Sequence, residues 1–561
     1  MPKLTKNQVV ELPKNVSINK KGYVYYNYSS FRKNGQPDHE KILIGRTITN
    51  TNINWKENPL MYPNNNYFRL FDTDKLPEVA EHSDHISVGG YLAIRKLSDE
   101  SGLTKTLLKV FEKDDVALIL DLAMFMNMAK DAAFYLYPDW AVEHEIFSDS
   151  IKSDGYISEF ERRISIAQIE EFKYLWASHA IGNGKVFLCY DSTNVNSQAD
   201  GIDIVEMGHA KDDPSKPQVN TDYVVREDTG LPVTFTAFPG SISDIAEASE
   251  MIDFFEEILE EDKSIRLELT IVADRGYLSE KNIIDMDKAK IGFLLMLKNN
   301  FNITTDIIDR YCDEIKSINN YIEERKQYSK TVKAKWLGQI RYFHITFDFD
   351  LDKKNTKTFI QKINKQEEKI KKLILRHHRI DNDEYKNYSE YFKLKTDDGG
   401  VLRQKKRGKE KNEVAYVITS FERKKEEIDK KLKQCGLYVL VSSQEMTALE
   451  AYSKRNCIER VFLILKNFLG GDKVGVQSTD AVETKSLIWF VASILHSLIF
   501  TKTMKLREKE RSAYSMPEVF AKLHRVWCYK NVRSGKYIRL RKLTDKQKKN
   551  FSRVKNFGGR N

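Results

Sequence analysis

Cysteine is scarce in this chain: Cys189, Cys312, Cys435, Cys457 and Cys528 are the only five among 561 residues. None of them stand at the short spacing of a zinc site, and their number is odd. A disulfide framework and a zinc knuckle are therefore not expected, and the usage fits a reducing cytoplasm. A secretory leader is also not expected, since Met1-Pro2-Lys3 runs straight into polar residues. Long apolar runs are missing too. The longest, Ser486 to Phe500, falls short of the roughly 20 residues that span a bilayer. It is expected to be a buried helix, with no membrane partner.

What is present is charge and a sizeable apolar fraction. Hydrophobic residues make up 41% of the chain and charged residues 31%, enough for several domains with real cores. The net charge of +10 is unevenly spread. From Thr501 to Asn561 there are 19 Lys/Arg against 4 Asp/Glu, a local net of +15, which leaves −5 for the first 500 residues. A near-neutral body with a basic end points to a polyanion such as DNA or RNA, or else to a solvated tail.

The chain divides by texture. Residues 1–50 form a β-rich segment, with Tyr23-Val24-Tyr25-Tyr26 and Lys41-Ile42-Leu43-Ile44 flanking an Asn34-Gly35 turn. Residues 51–180 begin irregularly and become helical from Gly89, including Val116–Met128 and Ile164–Ala177. Residues 181–299 read as strands at Val186–Tyr190, Tyr223–Val225, Pro232–Phe235, Leu267–Ala273 and Phe293–Leu297. Helices at Ile245–Leu259 and Ser279–Lys288 lie between them. The order β-β-β-α-β-α-β is that of a mixed α/β sheet. Residues 300–434 are a highly charged interruption, expected to be an α+β insertion subdomain with a strand at Ile340–Phe347. Residues 435–500 resume with a strand at Leu437–Val441 and a helix from Met446 to Leu469, ended by Gly470-Gly471. Residues 501–561 are the basic C-terminal segment.

Two strands run into aspartate, at Tyr190-Asp191 and Ala273-Asp274. In open α/β sheets reactive groups gather at the carboxyl ends of strands. Two carboxylates held together there repel unless a proton or a cation lies between them, and a hard divalent cation with oxygen ligands fits. Each aspartate is equally able to cap the turn that follows it.

The helix after the last strand carries Tyr452, Arg455, Glu459 and Lys466. At about 100° per residue these fall on one face roughly 60° wide. Ile458, Val461, Leu465 and Phe468 fall on the opposite side. One face packs on a core. The other presents a ring, two cations and a carboxylate, which is also the pattern of a solvated, ion-paired helix face.

The spacing Tyr452-x2-Arg455-x3-Glu459-x6-Lys466 resembles the signature of bacterial insertion-sequence DDE transposases of the YREK type. Gly208-His209-Ala210-Lys211-Asp212, Pro217-Gln218-Val219 and Thr229-Gly230-Leu231-Pro232 resemble one branch of that family. The resemblance covers 185–500 well and the first 180 residues less well. It implies an α/β, ribonuclease H-like catalytic core in which Asp191, Asp274 and Glu459 hold two divalent ions, Mg2+ or Mn2+. It also implies double-stranded DNA as partner, both the terminal inverted repeats and the target, and a homodimer that pairs the two element ends. Tyr452, Arg455, Lys466, Lys211 and Arg275 would contact DNA, Trp336 would hold a flipped base or simply pack, and 51–180 would help to bind the ends. The expected place of work is the bacterial cytoplasm, at the nucleoid. A nuclease or resolvase that cuts without joining, and a DNA-binding descendant without catalysis, are the competing readings.

Overall fold

The computed structural model describes residues 9–31, 37–48, 60–71, 86–129, 133–197, 199, 201–208, 216–261, 267–299, 301–406, 409–447, 450, 462, 475–476, 478–510, 515–530 and 537–539. At its centre is a nine-stranded mixed sheet. Five strands carry the β-β-β-α-β-α-β order expected from the sequence: Gly184–Asn196, Gln218–Arg226, Pro232–Pro239, Leu267–Ala273 and Gly292–Met296. The first three form an antiparallel meander. The fourth and fifth add in parallel on the other side of the first. Helices Asp244–Glu261 and Glu280–Lys288 make the crossovers. Ser279 caps the second of these, its hydroxyl accepting from the Asn282 amide at 3.0 Å.

Beyond Gly292–Met296 the sheet continues with Leu437–Ser442, then the hairpin Gln339–Phe347 and Gln327–Trp336, and ends at Tyr321–Ile322, all antiparallel. Here the structure differs from the reading of 300–434 as one insertion. The hairpin belongs to the central sheet because its alternate residues Phe343, Ile345 and Phe347 are buried in the main core. Arg341 further ties it to Asp287 of the Glu280–Lys288 helix. The excursion from the sheet is therefore 349–434. It consists of the helices Phe349–Leu375, Asn382–Ser389 and Lys425–Gln434 and the three-stranded sheet of Arg379–Ile380, Lys409–Arg423 and Phe392–Lys406. It has a core of its own around Phe359, Ile363, Ile370, Phe392 and Ile418.

The helix Thr479–Glu510 runs through the middle of the protein. The apolar stretch within it, Thr479–Met504, is longer than the sequence reading allowed, and by length and composition it could cross a membrane. Its residues are instead buried in protein: Leu487, Ile488, Phe490, Val491, Ala492, Ile494 and Leu495 have no exposed surface. A helix that is apolar all round is a core helix when protein covers every side. Phe490 lies against Tyr223 and Phe235 of the sheet and Phe172 of the helix Ile166–Ile181. On another side Asn127 of Lys113–Met128 donates to the Ala492 carbonyl and meets His496 at 3.0 Å. Helices of 86–181 thus share one continuous core with the sheet.

The N-terminal segment contains β-structure. Tyr23–Phe31 and Pro37–Thr47 pair antiparallel with Tyr25 opposite Leu43, within a five-stranded sheet. The turn at Asn34-Gly35 lies outside the described residues. Part of the basic C-terminal segment is integrated in the fold. Trp527–Lys530 pairs with Ile86–Ser87, and the Ser87 hydroxyl donates to the His524 carbonyl at 2.8 Å.

Among the described residues Cys312 and Cys435 are free thiols.

Candidate active site

The first strand does not end at Asp191, as the sequence suggested. It runs five residues further to Asn196, paired throughout with Gln218–Arg226. What ends there is its parallel neighbour. In the parallel register Tyr190 is opposite Ala273, the last residue of Leu267–Ala273. The next residue on each strand is aspartate, so Asp191 and Asp274 start from neighbouring backbone positions. This is the carboxyl edge at which α/β sheets place their chemistry.

Both aspartates are partly buried, and their polar contacts run in parallel. The Ser192 amide donates to Asp191 Oδ1 at 2.9 Å, and the Arg275 amide donates to Asp274 Oδ1 at 2.7 Å. The capping role considered for these residues is thus real, since Asp274 caps the short 3-10 turn Arg275–Tyr277. Capping and ligation are compatible, because a carboxylate accepts through about four lone-pair directions.

Three residues that the sequence reading did not single out complete the surroundings. Tyr277 is 4% exposed, and its hydroxyl donates to Asp191 Oδ1 at 3.2 Å. Its ring packs on Tyr190 with centroids 4.4 Å apart. Asp244, the first residue of Asp244–Glu261, accepts from the Ser192 hydroxyl at 3.1 Å. Asp222, opposite Ser192 in the sheet, accepts from the Tyr190 hydroxyl. Burial pushes the Asp222 carboxyl well above the usual range, against the pull of the Tyr190 bond, and Glu247, Asp244 and Asp191 add to the rise. Burial also raises the Tyr277 phenol, with Asp222, Asp191 and Asp244 adding to it, so it stays a hydrogen-bond donor. An aspartate one position before a tyrosine-bearing turn was visible in the sequence, but its partners across the sheet were not.

A cavity of about 410 Å³ opens beside this cluster, between the sheet and the helices Ile166–Ile181 and Asp244–Glu261. Its lining is acidic, including Asp222, Glu247, Glu250 and Glu170, with Lys173 paired to Glu170 at 2.8 Å.

The donor chemistry suits a hard cation: two carboxylates at adjacent register positions, with oxygen donors around them. Among the described residues no three His, Cys, Asp or Glu side chains are placed to hold one ion. The third expected ligand, Glu459, lies outside the described residues, as do Tyr452, Arg455, Lys466 and Lys211. Two helical residues of that stretch are described, Glu450 and Phe462, and the Phe462 ring meets Tyr223 edge-on at 6.4 Å. Tyr223 is the residue paired with Asp191. Arg275 is exposed beside Asp274. Trp336 ends a strand of the hairpin and packs on Phe301 and Phe343 at the margin of the main core, away from the core of 349–434.

Comparison with known proteins adds the family. No curated protein matches the chain. A solved piggyBac transposase synaptic complex with hairpin DNA is similar at a TM-score of 0.35 and 9% identity, over 79% of this chain and 81% of that one. The family model for the transposase DDE domain matches residues 182–495, more than half of the chain and all five strands of the β-β-β-α-β-α-β unit. The chain therefore belongs to the transposase DDE domain family.

Proposed function

We propose that this chain is an insertion-sequence transposase of the YREK type that cleaves DNA at the element ends and joins them to a target. The observation that carries the reading is the parallel register of Tyr190 with Ala273, which starts Asp191 and Asp274 side by side within the family's matched segment. The strand order of those five strands, third-second-first-fourth-fifth, supports a ribonuclease H-like core.

In this reading Asp191, Asp274 and Glu459 hold two divalent ions, Mg2+ or Mn2+. Those ions, when bound, supply activation of water or of a 3′-hydroxyl and stabilisation of the leaving oxygen. The chain's own residues do the positioning. Asp191 and Asp274 are each oriented by the amide of the next residue. Phe462 on Tyr223 is in keeping with Glu459 as the third ligand, because the helical period read from the sequence would put residues three apart on one side.

Double-stranded DNA is the proposed partner, with two copies of the chain pairing two ends. Arg455, Lys466, Lys211 and Arg275 would meet phosphates, and Tyr452 would stack or donate to the backbone. Trp336 has its ring partly committed to Phe301 and Phe343, so base capture would use its remaining face. The proposed setting is the bacterial cytoplasm.

The test is metal-dependent cleavage and strand transfer on a labelled duplex carrying the element's terminal repeat. Wild type should cut and join. Asp191→Ala, Asp274→Ala and Glu459→Ala should each lose both activities and keep DNA binding. Cutting that survives loss of either aspartate would sink the assignment. Cutting without joining would favour a nuclease, and binding without cutting a non-catalytic descendant.

A further inference from the structure

We infer that Tyr277 is a positioning residue for the Asp191 carboxylate, acting through the hydrogen bond that its hydroxyl donates. The inference rests on the reading of Asp191 as a metal ligand.

The turn that carries Tyr277 is held from several sides. Asn282, 3% exposed, donates from Nδ2 to the Tyr277 carbonyl at 3.0 Å and to the Ile245 carbonyl at 3.1 Å. The Lys298 ammonium donates to the Leu278 carbonyl at 3.1 Å. Gly276 leaves the space that Asp244 occupies, since a Cβ built there would stand 3.1 Å from Asp244 Oδ2. The Tyr277 ring is buried on Tyr190, which is itself anchored to Asp222. The hydroxyl at the end of this assembly has little freedom, and it meets Asp191 Oδ1.

A carboxylate rotates easily about its last torsion. The Ser192 amide and the Tyr277 hydroxyl both donate to the same oxygen of Asp191 and together set the plane of the group. The Ser192 hydroxyl donates to Asp244 at 3.1 Å. The strand carrying Asp191 is thereby tied both to the turn after Asp274 and to the helix beginning at Asp244. Groups that orient a ligand in this way typically change metal affinity 10- to 100-fold when removed.

The test uses the full chain and Mn2+ alone, without DNA. Tyr277→Phe keeps the ring and deletes the hydroxyl. Calorimetry should show Mn2+ affinity falling about 10-fold, with the metal-free unfolding midpoint little changed. Cleavage should then require a correspondingly higher Mg2+ concentration. Ser192→Ala, which removes the hydroxyl bond to Asp244 and keeps the amide on Asp191, should shift Mn2+ affinity in the same direction. It carries the test if Tyr277→Phe does not fold. Asp191→Ala separates the two readings. If Asp191→Ala weakens Mn2+ binding while Tyr277→Phe and Ser192→Ala leave it at the wild-type value, the positioning role is wrong and the ligand assignment stands. If Asp191→Ala binds Mn2+ as wild type does, the ligand assignment itself is wrong.

Discussion

The Tyr277 hydroxyl lies 3.2 Å from Asp191 Oδ1, across 86 residues of chain. The contact exists because Leu267–Ala273 stops one residue short of the level of Asp191 while the first strand runs on to Asn196. The turn that follows Ala273 therefore folds over the continuing strand, and its tyrosine reaches back to the carboxylate. The geometry of the candidate site is thus a matter of where one strand ends relative to its neighbour.

The buried Asp222 offers a first check on that geometry. Burial raises its carboxyl well above the usual range, which favours the protonated form. Asp222→Asn should then be nearly isosteric and cost less than about 1 kcal/mol. Asp222→Ala leaves the Tyr190 hydroxyl without its acceptor and should cost about 1–3 kcal/mol. Urea denaturation of the two variants makes the comparison, and equal losses would contradict the protonated assignment.

Acid sensitivity should come in part from His344, which has no exposed surface and lies between Thr331 Oγ1 at 2.9 Å and Ser442 Oγ at 3.0 Å. Burial lowers its pKa from 6.5 to about 4. The folded state therefore binds its proton less readily than the unfolded chain does. The stability from His344 is complete above pH 6.5 and is lost as pH falls toward 4, by up to about 3 kcal/mol. His344→Gln should flatten the stability profile over that window. An unchanged slope between pH 6.5 and 4 would exclude this histidine as a source.

Phe490 tests the core helix. It has no exposed surface and touches Tyr223, Phe235 and Phe172. Phe490→Ala should cost about 3–5 kcal/mol by leaving a cavity between sheet and helices. Equilibrium unfolding measures this, and a loss below about 1 kcal/mol would mean that the helix is not packed as described.

The unit at 349–434 should respond separately, because its buried residues form their own cluster. Phe392→Ala, at a site with no exposed surface, should increase hydrogen exchange across 349–434 while the central strands keep their protection. Loss of protection that spreads equally through Leu267–Ala273 would show the two units to be one cooperative block.

Much of the architecture was legible from pattern alone. The strand Leu267–Ala273 and the cap at Ser279 follow from local residue choice, and the element order from 184 to 296 follows from periodicity. Strand pairing between distant segments was not legible. The hairpin at 327–347 carries the same charged texture as the insertion that follows it, yet it pairs with Leu437–Ser442. Charge density reports solvent exposure of one face and is silent about which sheet takes the other. The end of the first strand was misjudged for a similar reason: an aspartate reads as a stop, but pairing with Gln218–Arg226 carries the strand through it.

By itself the sequence determined which carboxylates to examine and in what order they occur, because residue type and helical or strand period are local properties of the chain. It also determined that the Ser486–Phe500 stretch would be a buried helix, though not that this helix extends over Thr479–Glu510. Only the tertiary structure decided that Asp191 and Asp274 begin from neighbouring positions, that Tyr277 and Ser192 bind the first of them, and that Asp244 and Asp222 stand close by. Those relations depend on register between strands some 80 residues apart, and register is set by the packing of both sheet faces together, which no local window of sequence contains.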